Sequence, residues 1–250
     1  MSTPFTIHPA GDGVWAAISP PMEMPAISNA AIIDLGDRTL VVDSFMTFQA
    51  AQALSDAAEE LTGNRPHLLV TTHHHVDHVG GNSVFAEIPR FGTARMRELI
   101  EQDVPLPDVL IVSPIEVIGS ERSVRVIPTG KGHTDSDIIV SVPDVGTVVA
   151  GDLVWNGVHP KTSDGNPQAW VDSLDVIRKL GPTLVVGGHG KPGGQALVDK
   201  MVRYMGSVGE VAGQVSSGEL KATDAEAPKG TAKWLGLDRF HKGLEAITSR

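Results

Sequence analysis

Residues 71–81 read Thr-Thr-His-His-His-Val-Asp-His-Val-Gly-Gly, and they follow directly after the apolar run Leu68-Leu69-Val70. This stretch holds four of the ten histidines of the chain, and its spacing is His-x-His-x-Asp-His. Imidazole and carboxylate groups this close together cost desolvation when buried, but they suit one another when a divalent cation lies between them. The stretch therefore predicts a β-strand that ends in a metal-binding site.

The composition describes an ordinary soluble globular protein. Of the 250 residues, 41% are hydrophobic and 20% are charged, and one α/β domain over residues 1–250 is expected. The net charge of −10 argues against a nucleic-acid or acidic-membrane partner. The absence of cysteine excludes disulfides, thiolate zinc ligands and cysteine nucleophiles. Because the N-terminus lacks a signal-peptide pattern and no apolar run is long enough to span a bilayer, a cytoplasmic location without a membrane partner is expected.

Strand and helix patterns alternate along the chain. Residues 29–35 and 39–43 predict a β-hairpin, and residues 137–142 and 147–152 predict a second hairpin with a similar order of residues, which is a weak internal repeat. Helical periodicity covers residues 47–61, 93–101, 167–180, 195–216 and 235–247. This alternation predicts two packed sheets with helices outside.

Three further strand ends carry a histidine or an aspartate beside glycine. They are Gly132-His133-Thr134, Gly151-Asp152 and Gly188-His189-Gly190. Strand ends in layered α/β folds converge on one edge, where ligands bind. The candidate metal ligands are therefore His73, His75, Asp77, His78, His133, Asp152 and His189. One zinc ion takes three or four protein ligands, whereas seven ligands suit a pair of ions about 3.5–4 Å apart.

The order of these motifs resembles the metallo-β-lactamase superfamily of hydrolases. The resemblance implies an αββα sandwich, in which two mixed sheets pack face to face with helices outside and a metal site at one edge. It also implies two zinc ions, with iron or manganese as alternatives. The implied ligands are His73, His75 and His133 for the first ion, Asp77, His78 and His189 for the second ion, and Asp152 as the bridge. The resemblance further implies that Asp43 braces the histidine loop without touching metal.

The mechanism implied by the resemblance is hydrolysis by a metal-bridging hydroxide. Asp77 is the expected catalytic residue, which orients this hydroxide and relays its proton. His74 would point away from its neighbours in an extended segment, so we do not expect it to be a ligand. The candidate contacts with a small-molecule substrate are His159, Asn156 and Lys161, which follow the bridging aspartate, and the segment Met22-Glu23-Met24 as an apolar flap. A loop position without a special role is an equal interpretation for His159.

Membership of a superfamily does not fix the substrate. Two features favour a thioester or lactone hydrolase. Asp152 stands at a position where true β-lactamases generally lack an aspartate, and the N-terminus lacks the signal-peptide pattern of exported β-lactamases. The alternatives are β-lactam hydrolysis, since Gly-His-Thr-Asp-Ser-Asp at 132–137 is similar to some β-lactamases, and an iron-binding redox member such as a sulfur dioxygenase. Lys200, Arg203 and Tyr204 are too few to predict the basic patch with which hydroxyacylglutathione hydrolases bind glutathione.

Overall fold

Two β-sheets form the centre of the structure, a computed structural model that describes residues 3–249. The first sheet contains, in spatial order, β1 (Thr6–Gly11), β2 (Val14–Ile18), β3 (Ala30–Asp34), β4 (Thr39–Val42), β5 (Pro66–Val70), β6 (Arg90–Gly92) and β7 (Val109–Leu110). The second sheet contains β8 (Ile115–Ile118), β9 (Ser123–Gly130), β10 (Asp137–Val142), β11 (Thr147–Trp155) and β12 (Leu184–His189), in the spatial order β12-β11-β10-β9-β8. Both sheets are mixed, because β4 to β7 and the pair β11–β12 are parallel and the other pairs are antiparallel.

The longer helices cover the outer faces of both sheets, and two short helices follow β5 and β6. In chain order the helices are α1 (Phe48–Thr62), α2 (Val76–Val79), α3 (Ala94–Leu99), α4 (Pro167–Leu180), α5 (Gln195–Ser216) and α6 (Leu237–Thr248). Helix α1 packs on the first sheet, and α4, α5 and α6 share a core with the second sheet. The predicted αββα sandwich is therefore confirmed. Within residues 3–249, none of these helices has both the length and the apolar character needed to cross a membrane.

The layers follow from the two-residue period of the strands. In β10, Ile138 and Val140 face the core between the sheets, whereas Ile139 faces the core beneath the helices. In β3, Ile33 faces the core between the sheets and Ile32 faces α1. Because successive side chains point to opposite faces, a strand covered on both sides must be apolar at every position. This explains the continuous apolar runs in the sequence.

The two halves of the chain repeat one arrangement, in line with the weak internal repeat. In each half a hairpin is followed by a helix and then by a strand parallel to the second hairpin strand: β3-β4-α1-β5 and β10-β11-α4-β12. The C-terminal ends of β5 and β12 reach one edge of the sandwich, because the candidate ligands that follow or end these strands are grouped there.

Three predicted element boundaries need correction. The strand predicted over 147–152 continues to Trp155, so Asp152 lies inside β11 and not at its end. The last helix begins at Leu237 and not at residue 235, because Gly236 adopts a left-handed conformation with φ of 78°. The strand expected over 183–186 continues to His189, so that the histidine belongs to β12 itself and not to a following loop. Helix α4 spans 167–180 as predicted, with Asn166 accepting a hydrogen bond from the Ala169 amide at its N-terminus.

Candidate metal centre

The seven predicted ligands lie together at one edge of the two sheets, in two groups. One group contains His73, His75, His133 and Asp152, and the other contains Asp77, His78 and His189. Within each group, one donor atom from every residue lies within 4.8 Å of the others. This division matches the one implied by the resemblance. Among residues 3–249, His74 belongs to neither group; its Nδ1 lies 3.1 Å from the Ser136 hydroxyl.

Each candidate ligand lies in the C-terminal half of a strand or in the segment that follows a strand. The segment after β5 carries His73 and His75, and the short helix α2 carries Asp77 and His78. The second sheet supplies His133 from the β9–β10 loop, Asp152 from β11 and His189 from the end of β12. The site therefore draws on both sheets.

Two glycines allow the backbone to pass close to this site. Gly151 adopts a φ of 50°, and a Cβ atom there would lie 2.5 Å from the Thr72 hydroxyl oxygen. A Cβ atom at Gly188 would overlap Oδ1 of Asp152. Only glycine fits at these two positions, because any side chain would displace either the ligand or the residue that orients it.

The proton on His75 can be placed from its contacts. Its Nε2 lies 2.9 Å from a carboxylate oxygen of Asp164, so the ring carries its proton on Nε2 and donates it to the carboxylate. The bare Nδ1 then faces the Nε2 atoms of His73, at 3.0 Å, and His133, at 2.9 Å. A carboxylate that fixes the tautomer of a metal-binding histidine in this way is a common second layer around metal sites.

Asp43 orients one histidine in each group. Its Oδ2 accepts a hydrogen bond of 2.8 Å from Nδ1 of His78, which directs Nε2 of that ring toward Oδ1 of Asp152. The same oxygen accepts the Thr72 hydroxyl proton at 2.8 Å. Because that proton is committed, the Thr72 oxygen must accept from Nδ1 of His73, 3.1 Å away, and Nε2 of His73 carries no proton. The role expected for Asp43 therefore fits its position, and it extends to both groups.

Asp152 lies between the two groups. Its Oδ2 is 3.6 Å from Nε2 of His73 and 3.3 Å from Nε2 of His133. Its Oδ1 is 3.2 Å from Nε2 of His78 and 3.3 Å from Nε2 of His189. One carboxylate thus presents a different oxygen to each group.

These residues fit a divalent metal. Within residues 3–249, Nε2 of His78, Nε2 of His189 and Oδ1 of Asp152 are buried without a hydrogen-bond partner, although they face one another. In the other group, the bare nitrogens of His73 and His75 are 3.0 Å apart, so two lone pairs oppose each other. Buried polar atoms without partners cost about 1–3 kcal/mol each. A cation between them removes this cost, and nitrogen and carboxylate donors are those that zinc and similar divalent ions prefer.

The metal-free centre binds protons unevenly. Burial alone would lower the pKa of His78 and His189, but the facing Asp152 carboxylate holds both above their ordinary value. The pKa values of His73 and His133 lie well below the ordinary value, because both rings are buried. A metal that enters the second group must therefore displace protons, whereas the His73 and His133 rings of the first group are already neutral.

A cavity of about 630 Å³ opens above both groups. Asp77 and Asp152 lie at its base, and Met22 is one of its apolar walls. Met24 is 62% exposed and lines a separate cavity, so only the first of the two methionines has the position expected of an apolar flap. Lys161 also lines the metal cavity, where its Nζ lies 2.6 Å from Asp164.

Two of the three candidate substrate contacts need correction. His159 is buried and shares a hydrogen bond of 2.8 Å with the Tyr204 hydroxyl, so it belongs to an aromatic core and does not face the metal cavity. Asn156 donates its side-chain amide to the Lys191 carbonyl and also lies outside the cavity lining. Lys200 and Arg203 line a different groove together with Tyr204.

Three residues around the centre escaped prediction from the sequence. Asp164 contacts His75 across 89 positions of the chain. Trp155 stacks on His189, with ring centres 3.9 Å apart and planes inclined by 19°. Arg239 comes from α6 and lies over Trp155 at the cavity wall. The sequence pointed only to the segment after Asp152, through the candidates His159, Asn156 and Lys161, and Asp164 lies just beyond them.

Comparisons with known proteins agree with this geometry. The profile of the Metallo-beta-lactamase superfamily matches residues 24–189. Metallo-beta-lactamase type 2 of Bacillus cereus is 27% identical over 181 residues, which cover 68% of this chain and 70% of that enzyme. Hydroxyacylglutathione hydrolase of Synechococcus sp. (strain JA-3-3Ab) is 29% identical over 164 residues, which cover 64% of this chain and 62% of that enzyme.

Solved structures show the same fold. The metallo-beta-lactamase FIM-1 from Pseudomonas aeruginosa superposes with a TM-score of 0.73 at 20% identity, covering 82% of this chain and 96% of that chain. A metallo-beta-lactamase from Pontibacter korlensis gives a TM-score of 0.71 at 19% identity, covering 81% and 99%. Because the profile covers about two thirds of the chain and includes all seven candidate ligands, the chain belongs to the metallo-β-lactamase superfamily.

Proposed function

We propose that this protein is a hydrolase with two zinc ions that cleaves a thioester or lactone of a small or medium substrate. The observation that carries the proposal is the position of Asp152, whose two carboxylate oxygens face two different groups of histidines. A bridging carboxylate is suited to a pair of ions held close together. The family and the relatives named above support hydrolytic chemistry.

Divalent ions held by the two groups would supply Lewis acidity toward a carbonyl oxygen and a water molecule of lowered pKa. The chain itself contributes Asp77 as an acceptor for a proton of that water. Burial would raise the pKa of Asp77, but the adjacent His78 and His189 lower it to about 2, so the carboxylate stays ionised at neutral pH. Its side chain is 18% exposed to the cavity, where it can orient a water molecule.

The cavity wall fits an acyl substrate. Met22, Ile27 and Leu99 offer apolar surface, while Asp77 and Asp152 lie together at the base. An apolar wall with a few convergent polar groups is typical of small-molecule sites.

β-Lactam hydrolysis is the second candidate. The similarity to type 2 metallo-beta-lactamases favours it, since that match covers slightly more of this chain than the match to the hydroxyacylglutathione hydrolase. Both reactions cleave a carbonyl bond with water, so the same centre serves either.

Metal analysis and a substrate panel test the proposal. Protein purified without added metal should contain close to two zinc ions per chain, and iron as the bound metal would favour the redox alternative. The panel contains thioesters, lactones, β-lactams and phosphodiesters, and we expect thioester or lactone turnover to be fastest. Asp77→Asn should lower kcat at least about 100-fold if its carboxylate handles the proton. Asp56→Asn, an exposed carboxylate on α1, is the matched control. Full activity in Asp77→Asn would refute the catalytic role.

A further inference from the structure

The metal cavity contains one cation without a carboxylate partner. Arg239 of α6 is half-buried and lines the cavity wall. No carboxylate within residues 3–249 lies at ion-pair distance from its guanidinium, and this includes Glu101 at the rim of the same cavity. Lys161, the other cation of the cavity, is already held by Asp164 at 2.6 Å. A half-buried guanidinium that faces a binding cavity has unused hydrogen-bond donors.

The position of Arg239 relates it directly to the metal centre. Its guanidinium carbon lies 5.9 Å from the centre of the Trp155 ring, and the same ring stacks on His189 with ring centres 3.9 Å apart. The cation therefore lies one aromatic ring away from a candidate metal ligand. A substrate whose carbonyl reaches the base of the cavity can place a group only a few bonds away beside Arg239.

We propose that Arg239 binds a carboxylate of the substrate, so that the natural substrate of this hydrolase is an anionic thioester or lactone. This inference rests on the proposed function. The planar guanidinium donates two parallel hydrogen bonds to a carboxylate, and the partly buried setting strengthens them.

Arg239 lies outside the part of the chain that the superfamily profile matches. The superfamily profile ends at residue 189, whereas α6 spans Leu237–Thr248. Helix α6 is held in place by Phe240 and Leu244, which are buried in the core beneath the second sheet. The C-terminal helix therefore brings a selective group to a centre built by the shared part of the fold.

Two thioesters that differ in one group test the inference. They are the acetyl thioesters of mercaptopropionate and of mercaptopropionamide, in which a carboxylate is replaced by a neutral amide of similar size. In the zinc-loaded protein, Arg239→Gln should lower kcat/KM for the carboxylate substrate about 10- to 100-fold and change the amide substrate less than about twofold. Arg239→Lys should recover part of the loss, because it keeps the positive charge but cannot donate two parallel hydrogen bonds to one carboxylate. Arg203→Gln, an exposed arginine outside this cavity, should change neither substrate.

The binding of the two free thiols distinguishes failure of this inference from failure of the proposed function. Calorimetry on the zinc-loaded protein measures mercaptopropionate and mercaptopropionamide directly, whether or not either thioester is hydrolysed. Selective weakening of the carboxylate thiol in Arg239→Gln supports the carboxylate site even if the hydrolase proposal fails. Equal weakening of both thiols would show that Arg239 only supports the cavity wall, and it would overturn the inference. The inference is also overturned if Arg239→Gln binds both thiols as tightly as the wild type does, or if the wild type binds neither thiol.

Discussion

Replacement of Asp43 by asparagine tests whether one carboxylate sets the proton positions of both histidine groups. Asp43 has a φ of 63°, a left-handed conformation that asparagine tolerates better than most residues, so the backbone should not change. The carboxylate accepts three hydrogen bonds, from the Thr72 amide at 2.7 Å, from the Thr72 hydroxyl at 2.8 Å and from Nδ1 of His78 at 2.8 Å. An amide offers one oxygen, and its NH₂ group must face at least one of these donors.

The expected cost follows from these contacts. If the NH₂ group faces His78, the ring loses the acceptor that holds its Nε2 toward the second group. If the Thr72 hydroxyl turns to accept from the NH₂ group, its proton points to Nδ1 of His73, and that ring must carry its own proton on Nε2. Each lost hydrogen bond to a charged acceptor is worth about 1.5–3 kcal/mol. We therefore expect metal affinity to fall about 10- to 100-fold, as is usual when a residue behind the metal ligands is changed.

Competition with a chromogenic chelator measures this affinity for both ions, and urea unfolding of the metal-free protein measures the accompanying loss of stability. Asp56→Asn provides the control, because Asp56 is exposed on α1 and its side chain accepts only a hydrogen bond from Gln52. The reasoning would be refuted if Asp43→Asn lost stability but bound both ions as tightly as the wild type. In that case Asp43 would support the loop without controlling the histidines.

Three further predictions concern the surroundings of the ligands. Trp155→Leu removes the stack on His189, whose Nδ1 has no hydrogen-bond partner within residues 3–249, and it should weaken binding of the second metal about tenfold. Trp155→Phe should retain most of the affinity. Chelator competition measures both variants, and equal affinity in the wild type and the two variants would contradict the expectation. Asp164→Ala leaves the Lys161 ammonium 3.3 Å from Nε2 of His75, so that two hydrogen-bond donors face each other, and binding of the first metal should weaken about tenfold. An unchanged dissociation constant for the first metal in the same titration would exclude this orienting role. Because carboxylates hold the pKa of His189 above its ordinary value, metal binding must displace a proton, and metal affinity should fall as the pH is lowered. Calorimetry in buffers of different ionisation enthalpy should detect the released proton. A pH-independent metal affinity would contradict the charge assignment.

The fold and the ligand groups were accessible from the sequence for a physical reason. Strands covered on both faces leave long apolar runs, and a polar cluster directly after such a run stands out because folding alone does not require it. His73 follows β5 in this way, and Asp152 interrupts the otherwise apolar β11. Both features are local, so no knowledge of distant contacts was needed. The chemical roles assigned to these residues stay predictions until the metal is measured.

The residues around the ligands depend on distant contacts that no local pattern encodes. His159 and Asp164 lie in the same irregular loop, which has no period from which the direction of a side chain follows. His159 turns inward to Tyr204, 45 positions away, while Asp164 turns to His75, 89 positions away. Arg239 reaches the cavity only because α6 packs beneath the second sheet. The sequence therefore indicated the loop that contains His159 but not which of its side chains face the cavity.

The division of the ligands between the two sheets bears on how the protein is made. The segment after β5 is synthesised early and carries His73, His75, Asp77 and His78, but each of the two groups then lacks at least one member. His189 ends β12, so the second group is complete only after that strand has left the ribosome and joined β11. A nascent chain can hold a metal ion only through part of its ligands until then. A metal ion held by all of these residues would therefore tie the early half of the chain to the late half.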